Sequence, residues 1–152
     1  MATSTIILSI RPKHAAKIFS GLKTVELRRI RPKDLGNGTL ALIYVTSPVK
    51  CLAGAFRVTR VIEKPLTNLW RIVKKQAGLT YREFRQYYDG VSTGTAIFFQ
   101  KVWSLSNPLP LEGLRNELSS FLPPQAFRYL KISELATPPI ARLMSKIRAS
   151  GV

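Results

Sequence analysis

Around Gly21 the hydrophobic period of the chain changes, and that change limits what can surround it. Ala15, Ile18, Phe19 and Leu22 recur at helical spacing. Three residues later Val25 and Leu27 alternate with Thr24, Glu26 and Arg28, a period of two. Gly21 stands at the junction, where a helix ends in the left-handed conformation that glycine adopts without strain. The pattern predicts a helix closing at Gly21, a tight turn carrying Lys23, and a strand through Glu26. A strand sends Glu26 and Arg28 to one face and Val25 and Leu27 to the other. Lys23, in the turn, is then close to Glu26.

The rest of the chain repeats this mixture. Ile6–Ile10 is a short apolar run that Arg11-Pro12 stops, and Pro12 suits the first position of the next helix. Arg31 to Gly38 is rich in turn residues. Leu40–Val45 and Cys51–Ile62 read as strands, with Gly54 a candidate bulge. Leu66, Leu69, Trp70 and Val73 hold helical spacing, and Gly78 breaks it. Thr80 with Glu83 forms a capping box for a helix with Tyr81, Phe84 and Tyr88, which Asp89-Gly90 ends. Thr95–Val102 reads as another strand, and the pattern turns helical beyond Pro108. Thr137-Pro138 is an N-cap signal for a last helix striped by Ile140, Leu143, Met144 and Ile147. Four or five strands with helices inserted in no βαβ rhythm argue for an α+β fold, best met by a small, partly open barrel decorated by helices. The 152 residues are expected to form a single domain (1–152), with a core of about 6–131 and a C-terminal helical extension of about 137–150.

Charge narrows the function. Twenty-four Lys and Arg against eight Asp and Glu give a net +16, a balance that points to a polyanionic partner. Between Arg11 and Lys33 there are eight cations and one acid, Glu26. Glu26 is then either a counter-ion in a surface salt bridge, which stabilises little, or a working group. RNA or another single-stranded nucleic acid is the expected partner. A membrane is not, because no run approaches the roughly 20 apolar residues of a span.

Other chemistries lose support. One histidine (His14) and one cysteine (Cys51) argue against a His-based triad, a transition-metal centre and an internal disulfide. No cofactor and no metal are expected. The opening residues lack the pattern of a secretory signal, so the expected location is the cytoplasm, and the expected state is a monomer.

The remaining candidates form one constellation. Lys23 and Glu26 can exchange protons, and a carboxylate can orient water. Arg11, Arg28 and Lys50 can hold phosphate or an oxyanion through charge-assisted hydrogen bonds. Arg29, Arg31 and Lys33 suit backbone phosphates, and Ser47 lies on the same turn as Lys50. Equally, Glu26 can accept from the exocyclic amino group of a base, which is recognition without chemistry. Tyr44, Trp70, Tyr81, Tyr87, Tyr88 and Tyr129 are possible stacking surfaces. Trp70, on a helical stripe, reads as core, and Tyr87 is the best placed to stack. Arg142, Lys146 and Arg148 read as a solvated helix face.

The string Gly21-Leu22-Lys23-Thr24-Val25-Glu26-Leu27-Arg28, followed by Leu42-Ile43-Tyr44 and Thr46-Ser47-Pro48-Val49-Lys50, resembles the signature of the ASCH domain family, within the PUA-like superfamily of RNA-associated barrels. Leu69-Trp70, the Phe84–Tyr88 stretch and Pro123-Pro124-Gln125 agree. The resemblance implies a barrel of about five or six strands with helices outside it, and a cleft where Lys23, Glu26 and Arg28 converge. It also implies action on RNA or nucleotides, as a binder in transcription or translation. Some small members are amidohydrolases that deacetylate acetylcytidine. They carry Thr at the position of Glu26 and a second Glu where this chain reads Lys75-Gln76-Ala77-Gly78. Lys23 carries over and the other two do not. Two readings stand: a single-stranded RNA-binding module, and a nucleotide- or RNA-directed hydrolase (amidohydrolase or ribonuclease) with Lys23 and Glu26 as its catalytic pair.

Overall fold

A computed structural model describes residues 4–118 and 121–150. The elements run β1 (Thr5–Ile10), α1 (Pro12–Ser20), β2 (Val25–Arg28), β3 (Leu40–Val45), β4 (Cys51–Pro65), α2 (Leu66–Val73), α3 (Tyr81–Tyr87), β5 (Thr93–Pro110), α4 (Leu111–Glu117), β6 (Phe127–Tyr129), α5 (Ile132–Leu135) and α6 (Pro138–Ala149). The six strands form one sheet in the order β2-β5-β4-β3-β1-β6. β1 and β3 pair in parallel, and every other neighbouring pair is antiparallel. The long strands β4 and β5 slip register three times along their pairing. Each slip adds bend and twist, and the sheet curls into a half-barrel.

Local sequence accounts for most of the boundaries. Pro12 starts α1, and Gly21 ends it at φ +86°. The Thr80–Glu83 capping box of α3 is complete, each side chain accepting from the other residue's backbone N–H. Gly54 admits the curl itself, because a Cβ there would stand 2.0 Å from the Trp103 carbonyl and 2.8 Å from the Phe19 ring. One expected cap is absent. Thr137 precedes α6, but its hydroxyl donates to the Glu134 carbonyl at 2.7 Å and closes the end of α5 instead.

Three apolar clusters divide the molecule. Ile6, Leu8, Ile43, Phe56 and Ile97 meet Ile18 of α1 inside the curl. Alternate residues of the same strands, Ile7, Leu42 and Tyr44, meet Leu114 of α4 and Ile140, Leu143 and Ile147 of α6. The stripe expected in the last helix is therefore real, and it docks directly on the sheet. Val25 and Leu27 meet Leu69 and Val73 of α2 and Phe84 and Tyr88 of α3. The other face of β2, bearing Glu26 and Arg28, is left to the open seam between the two ends of the sheet.

Candidate nucleic-acid cleft

Lys23 reaches the seam from the turn between α1 and β2. Its ammonium donates to the Ala77 carbonyl at 2.6 Å. Gly78 makes this approach possible: at φ +66° it presents no side chain where Lys17 and Lys23 pass, each within 3.3 Å of the Cβ position. Glu26 follows on β2, with Oε1 3.8 Å from Lys23 Nζ and Oε2 2.9 Å from an Arg28 amine. The same Arg28 amine donates to the Ser9 carbonyl at 2.9 Å, and the other lies 3.3 Å from the Ala126 carbonyl. Arg28 therefore links one end of the sheet to β1 and to the segment before β6. It closes with a side chain a seam that backbone pairing leaves open.

Of the two readings of Glu26, the surface salt bridge does not hold. Lys23, Glu26 and Arg28 expose only 2%, 6% and 8% of their surface. The alternation does place Glu26 and Arg28 on one face, yet that face looks into the curl rather than into solvent. Burial holds the Lys23 ammonium below its ordinary pKa, against the pull of Glu26. Removing one member of so buried a group leaves an unpaired charge, which ordinarily costs about 3–5 kcal/mol.

Around the triad lies a cleft of about 820 Å³, a volume in the range of small-molecule sites. Ser9, Ile10, Arg11 and Thr46 form one wall, and Gln125, Ala126 and Phe127 continue it. Lys13 and His14 of α1, and Leu79, Glu83, Gln86 and Tyr87 on or next to α3, complete the rim. Of the expected residues, Arg11, Lys23, Glu26, Arg28, Arg29 and Tyr87 come together here. Arg31, Lys33, Ser47 and Lys50 are exposed on neighbouring loops and do not line it. Arg29 is partly committed, since one of its amines donates to the Tyr87 and Asp89 carbonyls at 2.9 and 2.8 Å. There it meets the negative end of α3. Tyr87 remains 38% exposed, with its hydroxyl anchored on the Leu27 carbonyl at 3.1 Å. A ring pinned at its far end and open on a face is a ready stacking surface.

The other aromatic candidates divide. Tyr44 and Tyr88 are buried in the apolar clusters. Tyr129 donates to the Lys33 carbonyl. Trp70, expected in the core, is only half-buried, tilted against Tyr81 and Phe84. On α6, Lys146 donates to the Ser104 carbonyl rather than standing free.

Two cleft residues escaped the sequence reading. His14, the lone histidine of the sequence, has its Nδ1 buried in the cleft without a hydrogen-bond partner. Burial, and then Lys23, lower its pKa, so the neutral imidazole is favoured at neutral pH. Glu83 brings a second acid to the cleft, on α3 rather than near Lys75–Gly78. Its Oε2 meets Lys13 Nζ at 2.5 Å, and its Oε1 accepts from the Thr80 N–H at 2.9 Å. Those two partners hold the Glu83 carboxyl down to about 2. The capping box was visible in the sequence, but the lysine across from it was not. Among the described residues no group of three or more His, Cys, Asp or Glu could hold a metal ion. No helix there is long and apolar enough to cross a membrane.

The comparison with known proteins agrees with this arrangement. The ASCH domain matches residues 8–112, and the chain belongs to the ASCH domain family. An ASCH domain-containing ribonuclease from Zymomonas mobilis is 29% identical over 141 residues, 93% of each chain. The crystal structure of the ASCH protein from Zymomonas mobilis superimposes with a TM-score of 0.81 at 26% identity, covering 94% of both chains. A large ribosomal subunit protein uL22 from Ureaplasma parvum is 32% identical over 130 residues, spanning 85% of this chain and 40% of that one. The six-stranded half-barrel with its outer helices is thus the PUA-like architecture of ASCH structures.

Proposed function

We propose that the protein binds single-stranded RNA and seats one nucleotide in the cleft beside Lys23, Glu26 and Arg28. One observation carries this reading: a buried carboxylate retains acceptor capacity inside a strongly cationic cleft. Arg28 takes up Glu26 Oε2, whereas Lys23 stands 3.8 Å from Oε1, too far for a good hydrogen bond. A carboxylate has about four lone-pair sites, so Oε1 can accept the amino group of a cytosine or a purine. Arg11 and Lys13 at the mouth can hold the phosphates, and Tyr87 offers its ring to a neighbouring base. The Zymomonas relative's name supports RNA as the polymer.

Cleavage of that RNA is the second reading, and two observations favour it: the relative is named a ribonuclease, and His14 holds an unpartnered nitrogen in the cleft. A neutral imidazole there can take the proton of a ribose hydroxyl, while cations such as Arg11 hold the phosphate.

Titration of single-stranded RNA, single-stranded DNA and duplex RNA, each at several salt concentrations, tests the binding reading. Six neutralised phosphates correspond to a log–log salt slope of about −4 for a flexible strand. Equal affinity for the duplex, or affinity insensitive to salt, would refute it. Incubation of labelled RNA with the wild type and with His14→Ala separates the readings: stable RNA leaves binding alone, and cleavage lost in the variant makes the protein a ribonuclease.

A further inference from the structure

The cleft is bounded on one side by α3, and a second concavity lies across that helix. Trp70 and Arg71 of α2, Lys74 just beyond its end, and Tyr81 of α3 line a groove of about 440 Å³. Trp70 is anchored against the buried Phe84, with ring centroids 5.0 Å apart. Tyr81 leans over it at 5.4 Å and 58° while keeping 52% of its surface exposed. A half-exposed aromatic pair of this kind serves no visible packing purpose on its outer side. It is a platform for another planar group.

The charged residues that line the groove, Arg71 and Lys74, are both cations. Between Glu63 and Glu83 the chain has no acid and five cations: Lys64, Arg71, Lys74, Lys75 and Arg82. None of the five enters the ion pairs found among the described residues. Unneutralised cations beside open aromatic rings match the requirements of single-stranded nucleic acid, where bases stack and phosphates are tracked by charge.

Helical geometry connects the groove to the cleft. At 3.6 residues per turn, Glu83, Gln86 and Tyr87 point from α3 toward the cleft, Tyr81 points toward the groove, and exposed Arg82 stands on the crest between them. A strand leaving the cleft therefore meets a cation as it crosses the helix. It then descends onto two aromatic rings.

We propose that the groove formed by Trp70, Arg71, Lys74 and Tyr81 is a second nucleotide subsite for the same RNA strand, in which a base stacks on Trp70 and Tyr81 while Arg71 and Lys74 hold its phosphates. The proposal rests on the RNA-binding reading of the cleft and extends it. It makes affinity depend on RNA length in two steps: a mononucleotide fills the cleft, and a longer strand also occupies the groove.

The test compares a nucleoside monophosphate with a twelve-nucleotide single-stranded RNA by calorimetry, for the wild type, Tyr81→Ala and Arg71→Ala/Lys74→Ala. These side chains are at the surface, and thermal melts verify that the variants are folded. Tyr81→Ala is expected to bind the twelve-mer at least about tenfold more weakly, since stacking of one base accounts for that much. Arg71→Ala/Lys74→Ala is expected to weaken it too, with a flatter salt dependence as two phosphate contacts go. Both should bind the monophosphate as the wild type does. Crosslinking of iodouridine-substituted RNA to Tyr81 would support the assignment directly. Unchanged twelve-mer affinity in both variants would overturn it while leaving the cleft reading intact. Loss of monophosphate binding in both would also overturn it, because the groove would then not be a separate subsite. Tight binding of polyglutamate that the variants abolish, with RNA affinity unaltered, would assign the groove to an acidic peptide instead. A wild type that binds neither RNA form would sink the cleft reading, and this proposal with it.

Discussion

The two flanks of the sheet are built on opposite principles. On the α6 side, Ile140, Leu143 and Ile147 close over Ile7, Leu40 and Leu42 with hydrocarbon, while polar bonds such as Lys146 to the Ser104 carbonyl lie at the edge of the contact. At the seam the corresponding interior space is filled by Lys23, Glu26 and Arg28, equally buried but charged. Apolar burial stabilises without direction, so the α6 contact tolerates any side chains of suitable shape. Ion pairs at low exposure stabilise little relative to apolar groups of the same volume. What they add is direction: fixed donors and an acceptor at defined points along a cleft.

The sharpest way to break this comparison is to unbalance the seam. Arg28→Ala should leave Glu26 with only the more distant Lys23 and remove the links to Ser9 and Ala126, destabilising the fold by about 3–5 kcal/mol in denaturant titration. A loss under 1 kcal/mol would show that the latch does not hold the seam. Leu143→Ala on the other flank should cost about 2–5 kcal/mol through the cavity it leaves, without changing RNA affinity at protein concentrations where it is folded. Reduced affinity in the folded variant would mean that the two flanks are coupled.

A double replacement sharpens the contrast. Glu26→Leu with Arg28→Leu removes the closer charge pair but leaves the Lys23 ammonium buried with only the Ala77 carbonyl as partner, so its loss of stability should be at least as large as that of Arg28→Ala. RNA affinity in that variant should fall sharply, since shape is kept and direction is gone. A double variant that binds RNA normally would remove Glu26 from recognition.

Smaller still is the effect expected at Glu83. Lys13 and the Thr80 amide hold its folded-state pKa at about 2, below the ordinary 4.5. A depressed carboxyl contributes stability that is fully present above its unfolded value, and that contribution is lost as pH falls from about 4.5 toward 2. Because this carboxylate stands at the solvent-facing rim of the cleft, the acid limb should be shallow. Glu83→Gln should flatten it, and identical acid limbs in wild type and variant would show that the Lys13 contact is not kept in solution. His14 titrates in the same sense at higher pH. Its lowered pKa means stability that fades as pH drops below about 6.5, and His14→Gln should remove that slope.

Local chemistry in the sequence determined the boundaries of α1, α3 and β2, because Pro12, Gly21 and the Thr80–Glu83 box act over three or four residues and need no distant partner. The period-two pattern also determined which side chains of β2 share a face. Their environment was decided elsewhere. Whether Glu26 met solvent or the interior depended on the curl of β4 and β5 and on two carbonyls, at Ser9 and Ala126, that lie 19 and 98 residues from Arg28. Short β6 carries no signal in the sequence, since three half-buried residues have too little periodicity to mark a strand without β1 beside them. His14 and Glu83 entered the cleft by the same route. His14 is a lone histidine and Glu83 half of a helix cap in the chain, and only the packing of α1 and α3 against one seam brings both into the cleft. Hydrogen bonds of short range are written in neighbouring residues, but burial is a property of everything that folds around them.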